Sequence, residues 1–159
     1  MARSCGEGYV PLMRTHLLAS TVAVLASASL AAASDTPIAF KQLPASVQAA
    51  AMAHLEGGTI KGASKEVEKG QTFYEVETLR NGHTRDLLFD AAGQLVEVEE
   101  AVTLEAVPLP VRKALEAQGA VLSVESVTRG ATVSYEGVVR KNGKRTEVAV
   151  AADGTPSKP

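Results

Sequence analysis

The chain has 159 residues, 45% of them hydrophobic, 21% charged and only 4% aromatic, with no tryptophan and a formal net charge of −2. That balance excludes a disordered chain and a multi-span membrane protein, and it gives no basic footprint for nucleic acid, because the cations are interspersed with acids. Any core must be built from Val, Leu and Ala, which makes it thin.

The first predicted element is a targeting segment. Residues 13–34, "MRTHLLASTVAVLASASLAAAS", run from the basic Arg14 through an apolar stretch, Leu17 to Leu30, to Ala31 and Ala33 at the spacing a signal peptidase reads. We therefore predict a signal peptide over residues 1–34, cleaved near Ala33-Ser34, with export to the periplasm or medium and no stable membrane insertion afterwards. Residues 1–12 are long and polar for such a signal, and Met13 makes the better start. The one cysteine, Cys5, lies upstream of the cleavage point, so the mature chain relies on its core and sheet hydrogen bonds without a disulfide.

A helix is predicted next. Pro44 precedes "ASVQAAAMAHLE", in which Val47, Ala50, Ala51 and Leu55 recur at helical spacing before Gly57-Gly58 stops the run. The stretches "SKEVEKG", "TFYEVETLR", "TRDLLFD" and "QLVEVEE" then alternate with period two, which predicts antiparallel strands with one buried face. Asn81-Gly82 is the pair a type I′ hairpin prefers, and Asp90 to Gly93, "DAAG", closes the following turn. Beyond a link, a second helix follows Pro110, with Val111, Ala114 and Leu115 on one side and Gly119 at its end. "VLSVESVTRG", "TVSYEGVVRK" and "KRTEVAVAAD" alternate again, with a second Asn-Gly pair at Asn142-Gly143 and "AADG" at Ala151 to Gly154.

The two halves align. Tyr74 falls on Tyr135, Glu75 on Glu136, Asn81-Gly82 on Asn142-Gly143 and Gly93 on Gly154, all at an offset of 61, while the helices align at an offset of 64. We expect an α+β fold of two tandem repeats, each a helix packed on an antiparallel β-meander of three to four strands. The first covers residues 35–100 and the second residues 109–159, with a linker at 101–108. Helix, Tyr-Glu strand, Asn-Gly hairpin and an apolar strand ending in Asp-x-x-Gly or Ala-Asp-Gly together resemble the PepSY-like family of exported, β-lactamase-inhibitor-like bacterial proteins. The resemblance implies an exported α+β domain and protein binding or peptidase inhibition in the envelope, and it brings no catalytic residues. The chain lacks the disulfides of the β-lactamase inhibitor protein.

Candidate chemistry centres on His83, Asp86 and Asp90. Their counterparts at the 61-residue offset are Lys144, Glu147 and Ala151, so no ligand set is duplicated, and His54 aligns with Gln118. Structural zinc takes about four Cys or His ligands, more than the mature histidines supply. No nucleophile elbow or Ser-x-x-Lys motif is present. No catalytic, metal or cofactor-binding residue is therefore predicted, and the chain is not expected to be an enzyme. Alternation puts Glu97 and Glu99 on one face and Val96 and Val98 on the other, the pattern of a solvated face.

What remains is surface. Tyr74, Glu75, Glu77, Arg80, Arg85, Tyr135 and Glu136 are the candidate partner-binding residues, a mixed-charge face with aromatic anchors. The other reading of the two tyrosines is as core beneath the helices. The functional expectation is a non-enzymatic exported module that contacts or inhibits an envelope protein such as a peptidase. The alternative is a sensor-like periplasmic protein that takes a cation or small ligand on its acidic sheet face.

Overall fold

The computed structural model describes residues 36–157, so the predicted signal peptide lies outside the described residues. The chain enters through β1 (Thr36–Pro37), a 3₁₀ turn (Phe40–Gln42) and helix α1 (Ala45–Ala53). It continues through β2 (Thr59–Glu68), β3 (Gln71–Arg80), β4 (His83–Asp90) and β5 (Leu95–Val102). Helix α2 (Leu109–Gln118) follows, and then β6 (Ala120–Arg129), β7 (Thr132–Lys141) and β8 (Lys144–Ala151).

These strands do not divide into two meanders. They form one antiparallel sheet in the order β1-β2-β3-β4-β5-β6-β7-β8, in which β5 pairs with β6 from Val98↔Thr128 to Val102↔Val124. This corrects the expected fold class of two tandem repeats, each a helix on its own meander. The reason lies in the edges: separate meanders would leave a row of unpaired N–H and C=O groups on β5 and another on β6, and joining them satisfies both. The stretch 101–108 starts inside β5, where Ala101 and Val102 pair with Glu125 and Val124. The sequence correspondence at offset 61 thus falls on strands of a single sheet, β3 with β7 and β4 with β8.

Turn chemistry acts as expected. Asn81 and Gly82 have φ of 52° and 86°, and Asn142 and Gly143 have 51° and 76°, the paired positive values of a type I′ turn. Lys69 and Gly70, at 51° and 80°, bend β2 into β3 in the same way. Pro44 stands just before α1 and Pro110 in the first turn of α2, where a missing N–H costs nothing. The turn glycines Gly93 and Gly154 press against those helix starts. A Cβ on Gly154, whose φ is 84°, would lie 2.6 Å from the Pro110 carbonyl oxygen. Gly154→Ala should therefore cost about 2–4 kcal/mol, combining left-handed strain with steric overlap. The expected readout is a lower urea midpoint at unchanged m-value.

Both helices cover the same face of the sheet. Val47 and Ala51 of α1 pack on Ala63, Val76, Leu87 and Phe89, while Val111 and Leu115 of α2 pack with Val107, Val124 and Val150. Val98 and Val102 point to one side of β5 and join the first and second clusters respectively, which puts α1 and α2 on that side. The two contacts fill space in opposite ways. Under α1 the cluster combines a small Ala51 with Val76 and Phe89, whereas under α2 it combines a large Leu115 with Val150, and Leu115 leaves no room beside Gly137. A Cβ on Gly137 would sit 2.7 Å from Leu115 Cδ2, so bulk on the helix is matched by its absence on the sheet.

Candidate functional site

The face left bare by the helices carries the acids. Leu87 and Phe89 are core, so Asp86 and Leu88 point to the open side, and directly paired residues on neighbouring strands share a side. Following the register, Glu77 faces Asp86, Asp86 faces Glu99, Glu75 faces Leu88, and Leu88 faces Glu97. Farther along the same face Glu125 lies opposite Glu136, and Glu147 opposite Val138. With Glu66 of β2, which faces Phe73 on the same side as Glu75, carboxylates from seven successive strands, β2 to β8, therefore line one surface.

They are not fully solvated, contrary to the expectation for Glu97 and Glu99. The Glu97 side chain is only 12% exposed and forms an ion pair with Arg129 of β6. Burial, a hydrogen bond with Glu97 and the charges of Glu97, Glu125 and Glu136 push Glu99 up to about 8. Asp86 is pushed up to about 6 by burial and by Glu75, Glu77 and Glu125. Glu136 is raised by burial and by Glu147, with Arg129 opposing. A cleft of about 260 Å³ opens here, lined by Glu66, Glu75, Asp86, Glu97 and Glu99, with Leu88 as apolar floor material and Arg129 as its cation. Such a surface takes up protons near neutral pH and attracts ammonium or guanidinium groups. Among the described residues no group of three or more His, Cys, Asp or Glu side chains is arranged to hold a metal ion.

The residues singled out from the sequence divide between the two faces. Glu75, Glu77 and Glu136 belong to the open acidic face. Tyr74 and Tyr135 pack against the two core clusters beneath the helices. Arg80 and Arg85 also lie on the helix side. The Arg85 side chain is 7% exposed and donates from Nη1 to the His54 carbonyl at the end of α1 (2.8 Å) and from Nη2 to Glu56 (3.4 Å), and its buried Nε has no partner among the described residues. Arg80 pairs with Glu56 and donates to Glu100 (2.9 Å). These guanidinium groups tie the α1 end to the sheet, a favourable place for cations. His83 is exposed on the helix side of β4 and Asp86 points to the other, so the two do not form a site. The Asp90 carboxylate accepts the N–H groups of Ala92 (2.9 Å) and Gln94 (2.8 Å) and shapes its turn. Sequence reading missed Glu125 and Arg129, which only the β5–β6 pairing brings near Glu97 and Glu99, and Glu147, which acts on Glu136.

No family model and no curated protein matches the chain. Solved structures do. A DUF2874 family protein from Bacteroides ovatus superposes with a TM-score of 0.58 at 19% identity, covering 73% of this chain and 85% of that one. A candidate periplasmic protein from Bacteroides eggerthii gives 0.58 at 20% identity, with 73% and 86% covered. A BLIP-like protein from Bacteroides fragilis gives 0.55 at 19% identity, with 71% and 82% covered. At these identities the likeness is one of fold, and it supports the β-lactamase-inhibitor-like architecture.

Proposed function

We propose that the chain is a non-enzymatic, exported binding module of the bacterial envelope whose open sheet face docks a basic surface of another envelope protein, in the manner of an inhibitor or modulator. The observation that carries this reading is the row of half-buried carboxylates on the face both helices leave free. Kinship with PepSY-like proteins belongs to the same reading and rests on the Tyr-Glu and Asn-Gly motifs. Placement in the periplasm is supported by the signal-like sequence at residues 13–34 and by the description of the Bacteroides eggerthii relative. No helix among the described residues is long and apolar enough to cross a membrane.

A Lys/Arg-rich peptide and its Glu-rich counterpart, compared by fluorescence anisotropy, provide the test. Above about pH 8, where Glu99 is ionised, the basic peptide should bind, and the double change Glu97→Gln with Glu99→Gln should weaken it about tenfold or more, an effect that added salt shrinks. Equal affinity for both peptides would sink the proposal. Calcium titration followed by thermal melting addresses the sensor reading, since a cation that binds only the folded chain must raise its melting temperature.

A further inference from the structure

The outer strand β8 is only half covered. The segment Thr155–Ser157 folds back along it: the Ser157 N–H donates to the Ala149 carbonyl (2.9 Å), the Ala151 N–H donates to the Thr155 carbonyl (2.8 Å), and Val150 bridges to Pro156. These bonds use the side of β8 that faces away from β7. Hydrogen-bonding direction alternates along a strand, and β8 runs in unbroken register from Ala151 to Lys144. Arg145 and Glu147 therefore point their N–H and C=O groups the same way as Ala149, and among the described residues no backbone group meets them. What stays open among the described residues is the window Lys144 to Val148, centred on Thr146.

That window begins in unrelieved charge. Arg140 faces Arg145 and Lys141 faces Lys144 across the β7–β8 hairpin. All four are exposed, and none has an ion pair among the described residues. Like charges directly opposite each other weaken a strand pair.

We propose that two copies of this chain associate through antiparallel β8–β8 pairing about a two-fold axis at Thr146, which extends the sheet across the dimer. A two-fold contact must be self-complementary, and this window is. With Thr146 on the axis, Arg145 of each copy faces Glu147 of the other, so each guanidinium gains a carboxylate that offsets Arg140. Both residues are outward-bonding, as partners that exchange two N–H···O bonds must be, whereas a one-residue slip would set outward groups against inward ones. A groove of about 360 Å³ between α2 and β8, lined by Ala114, Ala117, Val148 and Pro156, gives the second copy apolar surface to cover. This contact lies at the sheet's edge and shares with the acidic face only Glu147, on β8, three strands from Glu97 and Glu99 on β5.

Sedimentation of the purified chain over a concentration series tests it. A monomer–dimer equilibrium is expected. Glu147→Arg and Arg145→Glu should each weaken the dimer about tenfold or more, equivalent to about 1.4 kcal/mol, and combining the two exchanges should restore it. Glu147→Pro removes only an outward N–H, a change edge strands tolerate, and should abolish dimerisation while circular dichroism, and melting at concentrations where the parent is monomeric, stay unchanged. A chain that is monomeric throughout overturns the proposal, as does a dimer indifferent to the single reversals or not rescued by the exchange. So does a monomer that instead takes an acidic extended peptide along β8.

Discussion

Phe89→Ala is expected to destabilise the fold by about 3–5 kcal/mol, a large share of the roughly 5–15 kcal/mol that holds a domain together. Phe89 is the largest fully buried side chain among the described residues, at 0% exposure, in a protein whose aromatic content is 4%. It fills the space beneath α1 beside Val47, Val76 and Leu87, with the His54 ring 6.3 Å from its own. Ala51 of the same cluster has no side chain long enough to sink into the void, and Arg85 holds the end of α1 in place through the His54 carbonyl, so collapse around the cavity is restricted. Urea unfolding should show the midpoint falling at constant m-value. The contact beneath α2, where Leu115 lies over Val150, indicates the remedy: adding Ala51→Leu to Phe89→Ala should recover part of the loss, while Ala51→Leu alone overpacks and destabilises. A loss below about 1 kcal/mol for Phe89→Ala, or no recovery in the double variant, would show α1 to be loosely docked.

The parts of this fold legible in sequence are those governed by near neighbours. Alternation in "TFYEVETLR" and "TRDLLFD" marks β3 and β4 because successive residues of a strand face opposite ways, and Asn-Gly marks both hairpins because those residues accept positive φ. Lys69-Gly70 bends identically but is less visible, since lysine is not a typical left-handed residue. The β5–β6 pairing was illegible for a different reason: nothing local says which exposed strand edge meets which. On that pairing depend both the single sheet and the acidic face, because it brings Glu125, Glu136 and Arg129 to Glu97 and Glu99. Arg85 is a different case. It alternates in step with Leu87 and Phe89, so its place on the helix side was readable, but a charged residue among surface candidates draws attention outward. The structure makes it a buried anchor for α1.

Raising pH through neutrality should destabilise the folded chain. Glu99 titrates near 4.5 when unfolded and is pushed up to about 8 in the fold, and Asp86 moves from 3.8 to about 6. Between each pair of values the folded chain holds a proton that the unfolded chain has released. Stability is therefore fully present below the unfolded values and lost as pH rises through about 6 for Asp86 and about 8 for Glu99. Both groups are only half-buried and water screens them, so the combined loss should be about 1–3 kcal/mol, a fall in melting temperature of about 3–10 °C. Glu99→Gln keeps a donor for Glu97 without the charge, so it should flatten the upper part of this profile and raise the melting temperature at alkaline pH. A parent profile that is flat from pH 6 to about 9, or a Gln variant that retains the slope, would mean that the carboxylates ionise without cost. The same protonation bears on partner docking, because a neutral Glu99 attracts no cation. If the open face binds basic surfaces, affinity should strengthen over the pH range in which the free chain weakens, each ammonium or guanidinium group relieving the repulsion that ionisation creates.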